Sequence, residues 1–234
     1  MMTNKNDFIE LDFIGRIDSK EGPIFDTTNF EKAKESGLAD EKTKGKFKPV
    51  RLCIGQEMVL KALDKDLEGK EPGKTVHLEI KVKEAYGNRD AKLIRTVPLT
   101  SFEEMPQRGM FVNVNGMVAK VVSINGGRVI IDMNHPLAGK DLFYDYKILK
   151  IIEDIKEKAN VILEMFGIDE KNVDLKENKL IIKQKVQEMI QQVMKKKIKE
   201  LLNLEIEFSD NKKSLEEELG NKVKKEDKGD KGEK

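Results

Sequence analysis

Apolar and polar residues alternate with period two over Phe8–Ile17. Ile9, Leu11, Phe13 and Gly15 share one side, and Glu10, Asp12 and Ile14 the other. Such alternation predicts a strand with one buried face. The pattern recurs over Thr75–Val82, where Val76, Leu78, Ile80 and Val82 alternate with Thr75, His77, Glu79 and Lys81. It recurs again over Leu142–Ile152, where Tyr144, Tyr146, Ile148 and Lys150 stand opposite Phe143, Asp145, Lys147 and Leu149. The shorter runs Ile24–Asp26 and Val50–Ile54 add strands to this set. Between Glu57 and Leu67 the period lengthens. Val59, Leu60, Leu63 and Leu67 fall on one helical face, and Gly69 supplies a left-handed terminus. A short helix, Phe30–Ser36, is predicted between the capping run Thr27-Thr28-Asn29 and Gly37. Asp18–Pro23 and Lys70–Lys74 read as turns, and residues 37–48 as a polar loop.

After Glu84-Ala85-Tyr86-Gly87 the character changes. Val97-Pro98 is expected to break strand pairing, and Thr100–Met105 reads as a helical turn. Met110–Val114, Met117–Ile124 and Arg128–Asp132 predict a small three-stranded antiparallel unit. Asn115-Gly116 and Asn125-Gly126-Gly127 are its hairpin turns. So small a sheet barely buries its own apolar residues. Met105, Met110, Phe111, Met117 and Met133 therefore either pack inside or stand exposed. The chain returns at Asn134–Gly139. The expected architecture is α+β, an antiparallel sheet wrapped on one helix, formed by residues 1–87 and 134–152 and interrupted by a β subdomain at 88–133.

Residues 153–210 read as a separate helix–strand–helix–strand unit. Ile155, Ala159, Ile162, Leu163 and Phe166 make one helix face, ended by Gly167. Leu180–Ile182 and Leu204–Phe208 are its strands. Val186, Met189, Ile190, Val193, Ile198, Leu201 and Leu202 form one long helical stripe. A unit this small is marginal alone, and the stripe exceeds what one helix and two strands can cover, so a homodimer is expected and the unit reads as a dimerisation or a chaperone domain. Residues 211–234 are mixed Lys, Glu, Asp and Gly and read as a disordered charged tail.

Composition narrows the function classes. Charged residues make up 37% of the 234, yet the formal net charge is only +1. A nucleic-acid binder shows a basic excess, so none is expected as partner. The run Lys195-Lys196-Lys197, which an RNA-associated factor could use, reads as a solvated helix face. The N-terminal stretch is polar and no apolar run is long enough to span a bilayer, which predicts a cytoplasmic protein with no membrane partner. The single cysteine, Cys53, precludes an intrachain disulfide or cysteine cage. It reads as a small buried or edge residue. Serine-hydrolase, zinc-protease and phosphate-loop motifs are all missing. An enzyme built from this sequence needs no nucleophile, metal or cofactor.

In order along the chain, Phe13-Ile14-Gly15, Phe25-Asp26, Leu52-Cys53-Ile54-Gly55, Val59-Leu60, Ala85-Tyr86-Gly87 and Leu142-Phe143-Tyr144-Asp145 resemble the FK506-binding-protein (FKBP) type peptidyl-prolyl cis-trans isomerases. The departure after Ala85-Tyr86-Gly87 and the return at Asn134-His135-Pro136-Leu137-Ala138-Gly139 are similar to the SlyD branch, in which an insert-in-flap subdomain has chaperone activity. The extra C-terminal unit resembles the long archaeal form of that branch. The resemblance implies a proline pocket lined by Phe13, Phe25, Leu52, Val59, Leu60, Leu63, Tyr86, Leu137, Ala138 and Tyr144. Asp26, Tyr86 and Phe25 are the implied catalytic residues: Asp26 near the twisting carbonyl, with the Tyr86 hydroxyl and the Leu60 backbone N–H holding substrate carbonyls. Phe13 stands where the family usually has tyrosine, Leu63 where many members have tryptophan, and Leu52 where many have phenylalanine. The branch's histidine- and cysteine-rich tail is replaced by lysine and glutamate, which implies no nickel or zinc. Implied partners are unfolded or partly folded proteins and proline-containing peptides, held on Phe102, Met105, Met110, Phe111 and Met117. The competing reading is a holdase chaperone with little catalysis.

Overall fold

The structure is a computed structural model that describes residues 2–114 and 116–209. The tail expected at 211–234 and Asn115 of the first hairpin turn lie outside the described residues. Among the described residues there are three sheets: one of five strands, one of four and one of three.

The five-stranded sheet contains β1 (Phe8–Ile17), β2 (Ile24–Thr27), β3 (Val50–Cys53), β4 (Thr75–Ile80) and β9 (Leu142–Ile151), all antiparallel. β1 is long enough to take two partners along one edge. Its first half pairs with β3, from Phe8 opposite Cys53 to Leu11 opposite Val50, and its second half with β2, from Ile14 opposite Thr27 to Arg16 opposite Ile24. The predicted alternation places Ile9, Leu11 and Phe13 in the core with Tyr144, Tyr146 and Ile148 of β9, beneath helix α2 (Lys61–Asp66). Short helix α1 (Phe30–Glu35) is capped by Asn29, whose side chain accepts from the Lys32 N–H at 3.0 Å.

Helix α2 is shorter than the apolar periodicity predicts. The Asp64 side chain, 3% exposed, accepts from the N–H groups of Gly55 and Glu57, each at 2.9 Å. Glu57 takes a left-handed conformation, φ 52°. A residue there interrupts right-handed helix propagation, so Val59 and Leu60 precede the helix rather than open it.

The inserted sheet runs in the order β5-β8-β7-β6, with β5 at Ile94–Pro98, β6 at Phe111–Val114, β7 at Met117–Asn125 and β8 at Arg128–Asp132. It has four strands, not three. The expected break at Val97-Pro98 does not occur: Val97 pairs with Val129 and Pro98 with Arg128. β5 is an edge strand and Pro98 its last residue, a place where a missing N–H costs no ladder bond. The expected helical turn contracts to a 3-10 turn at Leu99–Ser101. Ala119, Val121, Val129 and Ile131 form the buried centre of this unit.

The C-terminal unit has one strand more than expected. Helix α3 (Ile155–Glu164) is followed by a hairpin of β10 (Val173–Lys176) and β11 (Lys179–Ile182), then α4 (Glu188–Leu202) and β12 (Glu205–Phe208), which lies parallel to β11. This unit shares a core with the five-stranded sheet. Phe8, Cys53 and Ile152 lie fully buried among Ala159, Ile162, Leu163, Met194 and Ile198. The Arg51 guanidinium is also paired with Glu164. Burial pushes the Cys53 thiol up to about 12, which keeps it protonated and unreactive.

Candidate active site

Three rings meet where β1, β2 and β9 adjoin. Tyr144 lies 5.8 Å from Phe13 and 5.7 Å from Phe25, the second pair edge-to-face at 89°. Offset and edge-on geometries of this kind are the favoured ones for aromatic pairs. Gly15 makes the arrangement possible. A Cβ there would come within 2.8 Å of Phe25 Cζ and 3.2 Å of Tyr144 Cε1. Thr27 and Thr28 fix the end of β2 against β1. The Thr27 hydroxyl donates to the Phe13 carbonyl at 3.0 Å, and the Phe13 N–H donates to the Thr28 hydroxyl at 2.9 Å. Of the expected capping run, Asn29 alone caps the helix, while the two threonines hold the Phe25-Asp26 segment in place.

Asp26 is an exposed residue, yet protein around its carboxyl partly desolvates it and raises its pKa, against the lowering effect of the Thr27 N–H. The Tyr144 hydroxyl is also pushed up, first by burial and then by the nearby Tyr86 and Asp26. Tyr86 and Asp26 therefore both lie close to the Tyr144 hydroxyl.

The floor and wall come from the segment between β3 and α2. Leu52 and Leu63 are fully buried below Phe13 and Tyr144, and Phe25, Val59, Leu60 and Leu137 are half-buried around them. Leu60 occupies the cap position of α2, and its N–H has no partner among the described residues. A free helix N-terminal donor beside an apolar cluster suits a carbonyl acceptor. The Asp64 clamp described above sets the course of this wall, and the Met58 sulfur accepts from the Cys53 N–H at 3.2 Å. Met58 touches both the pocket core and the C-terminal core. Neither Asp64 nor Met58 was singled out from the sequence. Their signal was a carboxylate on the apolar side of a helix and a methionine ahead of it, which only the folded loop explains.

On the opposite side, Tyr86 is 40% exposed and stacks on His135 with centroids 3.9 Å apart and planes 7° from parallel. Tyr86 lies outside the packed cluster and rises beside it. His135, missed in the sequence, accepts from the Leu137 N–H through Nδ1 at 3.2 Å. Ala138 is buried, and the Gly139 N–H donates to the Gly87 carbonyl at 2.8 Å, which closes the neck of the insert. Gly87 itself sits at φ 71°, a conformation that favours glycine.

On the insert, Met105, Met110, Phe111 and Met117 are exposed at 72%, 44%, 55% and 53%. Phe102 differs from this set, being half-buried against the insert's own core. On the outer face of the main sheet, His77 Nδ1 lies 2.5 Å from Asp145 Oδ1, and Arg16 pairs with the same carboxylate. Desolvation raises the Asp145 pKa, but His77 and Arg16 outweigh it and the net shift is downward. That cluster is on the wrong face to reach the pocket.

Nothing in the ring cluster can act as a nucleophile, and the only nearby thiol is buried and protonated. The arrangement can bind an apolar ring-shaped side chain, accept a carbonyl on an N–H and set a carboxylate beside it. Residues 2–99 match the family of FKBP-type peptidyl-prolyl cis-trans isomerases, and residues 95–137 match the family described as FKBP26, IF domain. Residues 2–137 thus carry an FKBP-type peptidyl-prolyl cis-trans isomerase domain with an IF domain. A short-type isomerase from Methanocaldococcus jannaschii is 29% identical over 150 residues, 63% of this chain and 92% of that protein. The isomerase SlyD of Helicobacter pylori is 28% identical over 116 residues, 47% of this chain and 63% of that protein. A 16 kDa FKBP-type isomerase of Escherichia coli is 27% identical over 124 residues, 50% of this chain and 83% of that protein. In this isomerase, then, the inserted sheet is the IF domain. No helix among the described residues is long and apolar enough to cross a membrane.

Proposed function

We propose that this isomerase captures unfolded segments on its IF domain and turns their X-Pro bonds in the Phe13–Phe25–Tyr144 pocket, so accelerating proline-limited folding. The observation that carries the catalytic half is the packing of Phe13, Phe25, Leu52, Leu63 and Tyr144 into one cluster, with Asp26 and Tyr86 close to the Tyr144 hydroxyl. Rotation about the bond faces a barrier of about 18–20 kcal/mol and takes roughly 10–100 s uncatalysed. No bond is made or broken, so the catalyst need only bind the twisted imide better than the planar one. The twisted form has less charge separation, and the apolar hollow favours it. The Asp26 carboxylate faces the rotating carbonyl carbon, while Leu60 N–H and the Tyr86 hydroxyl hold flanking carbonyls. Each such hydrogen bond contributes about 0.5–1.5 kcal/mol net.

The capture half rests on the exposed Met105, Met110, Phe111 and Met117. Flexible thioethers adapt to varied partners. A segment held there presents its prolines to the pocket at high effective concentration.

The C-terminal unit is assigned to homodimerisation. Met189, Ile190 and Val193 of the α4 stripe are 81%, 36% and 52% exposed, whereas Met194 and Ile198 are buried. A second copy covers this uncovered side. Sedimentation as a monomer at micromolar concentration would remove the assignment.

The test of catalysis is refolding of a protein limited by one proline. Wild type accelerates the slow phase, and Asp26→Ala and Phe25→Ala each slow it severalfold while client binding is unchanged. Suppressed aggregation without any acceleration would establish the holdase reading instead.

A further inference from the structure

The two faces of the IF sheet differ. The inner face carries Ala119, Val121, Val129 and Ile131, all buried, and the outer face carries Val118, Lys120, Val122 and Ile130, all exposed. Across the outer face Phe111, Lys120, Asp132 and Ile94 form one cross-strand row. At the end of that face nearest the neck is a groove of about 450 Å³, lined by Arg89, Arg108, Lys120, Val122 and Asp132 with the backbone of Gly109 and Val121. It holds three cations and one carboxylate. Asp132 is 8% exposed and already engaged: it pairs with Arg89 and accepts from the Asn134 N–H at 2.9 Å and Asn134 Nδ2 at 2.7 Å. Arg108 and Lys120 have no carboxylate within 4.0 Å among the described residues. In a chain of net charge +1 this excess is local.

The groove is also held next to the pocket. Asn134 ties the two strands of the neck together, accepting from the Asp90 N–H at 2.8 Å and donating to the Asp90 carbonyl at 3.0 Å. Arg89 packs on Gly139, where a Cβ would approach its Cγ to 3.2 Å, and Gly139 directly follows the pocket-side residues Leu137 and Ala138. Arg89 and Asn134 thus tie the groove to the segment that carries the pocket-side residues.

We propose that this groove is a subsite for acidic client segments, with an Asp or Glu a few residues from the X-Pro bond seated between Arg108 and Lys120. The proposal rests on the reading that the IF domain captures unfolded chains, and it adds a substrate class to it. The Arg108 guanidinium offers planar paired donors for a carboxylate and Lys120 a point charge, while Phe111 and Val122 supply apolar contact on either side.

Anisotropy of two labelled, permanently unfolded peptides tests it on the full chain. Both carry one proline and the same apolar residues, and they differ only in Asp/Glu against Asn/Gln near the proline. The acidic peptide binds about three- to tenfold more tightly at low salt, the range open to a pair of exposed ionic contacts, and the advantage fades as salt screens it. The exposed double substitution Arg108→Glu with Lys120→Glu reverses the order and leaves the amide peptide's affinity unchanged. Equal binding of the two peptides by wild type, with Phe111→Ser weakening both, overturns the acidic subsite and leaves capture standing. No binding of either peptide overturns both.

Discussion

The isomerase pocket and the IF domain use apolar side chains in opposite ways. In the pocket, Phe13 and Tyr144 are 8% and 5% exposed and held in ring-to-ring contact. On the insert, Phe111 and Met105 are 55% and 72% exposed. A buried ring is locked by its neighbours and can discriminate one shape. An exposed methionine is free to repack and can accept many. Under the proposed function this difference divides the labour: a rigid apolar cluster for one imide geometry, and an adaptable surface for sequences that share little.

The largest effect that can break this comparison is on stability. Leu63→Ala removes a fully buried side chain from the pocket floor and should cost about 2–5 kcal/mol, measured by urea unfolding. Phe111→Ala, on the insert, should cost no more than about 0.5 kcal/mol while weakening client binding. Equal costs at both sites would mean that Phe111 is a core residue and the contrast is mistaken.

Gly15→Ala comes next. Its Cβ would intrude on Phe25 and Tyr144, and an overpacked ring cluster should lose about 1–3 kcal/mol. Isomerase activity should fall more than client affinity. Asp64→Asn should cost about 1–3 kcal/mol, because an amide offers one acceptor oxygen where the carboxylate uses two, and its NH2 then faces the Gly55 or Glu57 N–H donor. Here too activity, read on a proline peptide, should fall with binding to the insert unchanged.

The smallest effects are those of pH. The Asp26 pKa is raised by desolvation, so isomerase activity should titrate away on the acid side with a midpoint above the ordinary 3.8, and Asp26→Asn should abolish that limb. For stability the sign is opposite to that of a salt-bridged acid. A raised folded pKa means the charged form costs stability above that pKa, and the cost is relieved as pH falls through it. Asp26→Asn should therefore leave the protein no less stable at neutral pH. Asp145, with its net shift downward under His77 and Arg16, contributes stability above the ordinary 3.8 that is lost as pH falls through its folded value.

Much of the architecture was legible from periodicity because strands with one buried face announce themselves. Phe8–Ile17, Thr75–Ile80 and Leu142–Ile151 did so, and the ordered FKBP-like residues pointed to the pocket. What escaped depended on partners distant in the chain. Pro98 pairs only because β5 lies on an edge, and that depends on where β8 runs. Phe8 sits on the side of β1 opposite to Ile9 yet is 2% exposed, because the C-terminal unit covers that end of the sheet. Val173 and Leu175 alternate over too few residues to mark β10. The Asp64 clamp shortens α2 against its own apolar periodicity. His135 gave no signal of its stacking on Tyr86, since 48 intervening residues separate the two (86 to 135).

The central claim is that capture and catalysis are separate surfaces acting on one chain. It is tested most directly by deleting the insert between Gly87 and Asn134, where the neck is already closed by the Gly139–Gly87 hydrogen bond, and comparing two substrates. Catalysis of proline-limited protein refolding should fall by about 10²-fold, the scale of advantage that tethering confers, while turnover of a short proline peptide stays unchanged. An equal fall for both substrates, or no fall for the protein, would contradict the account.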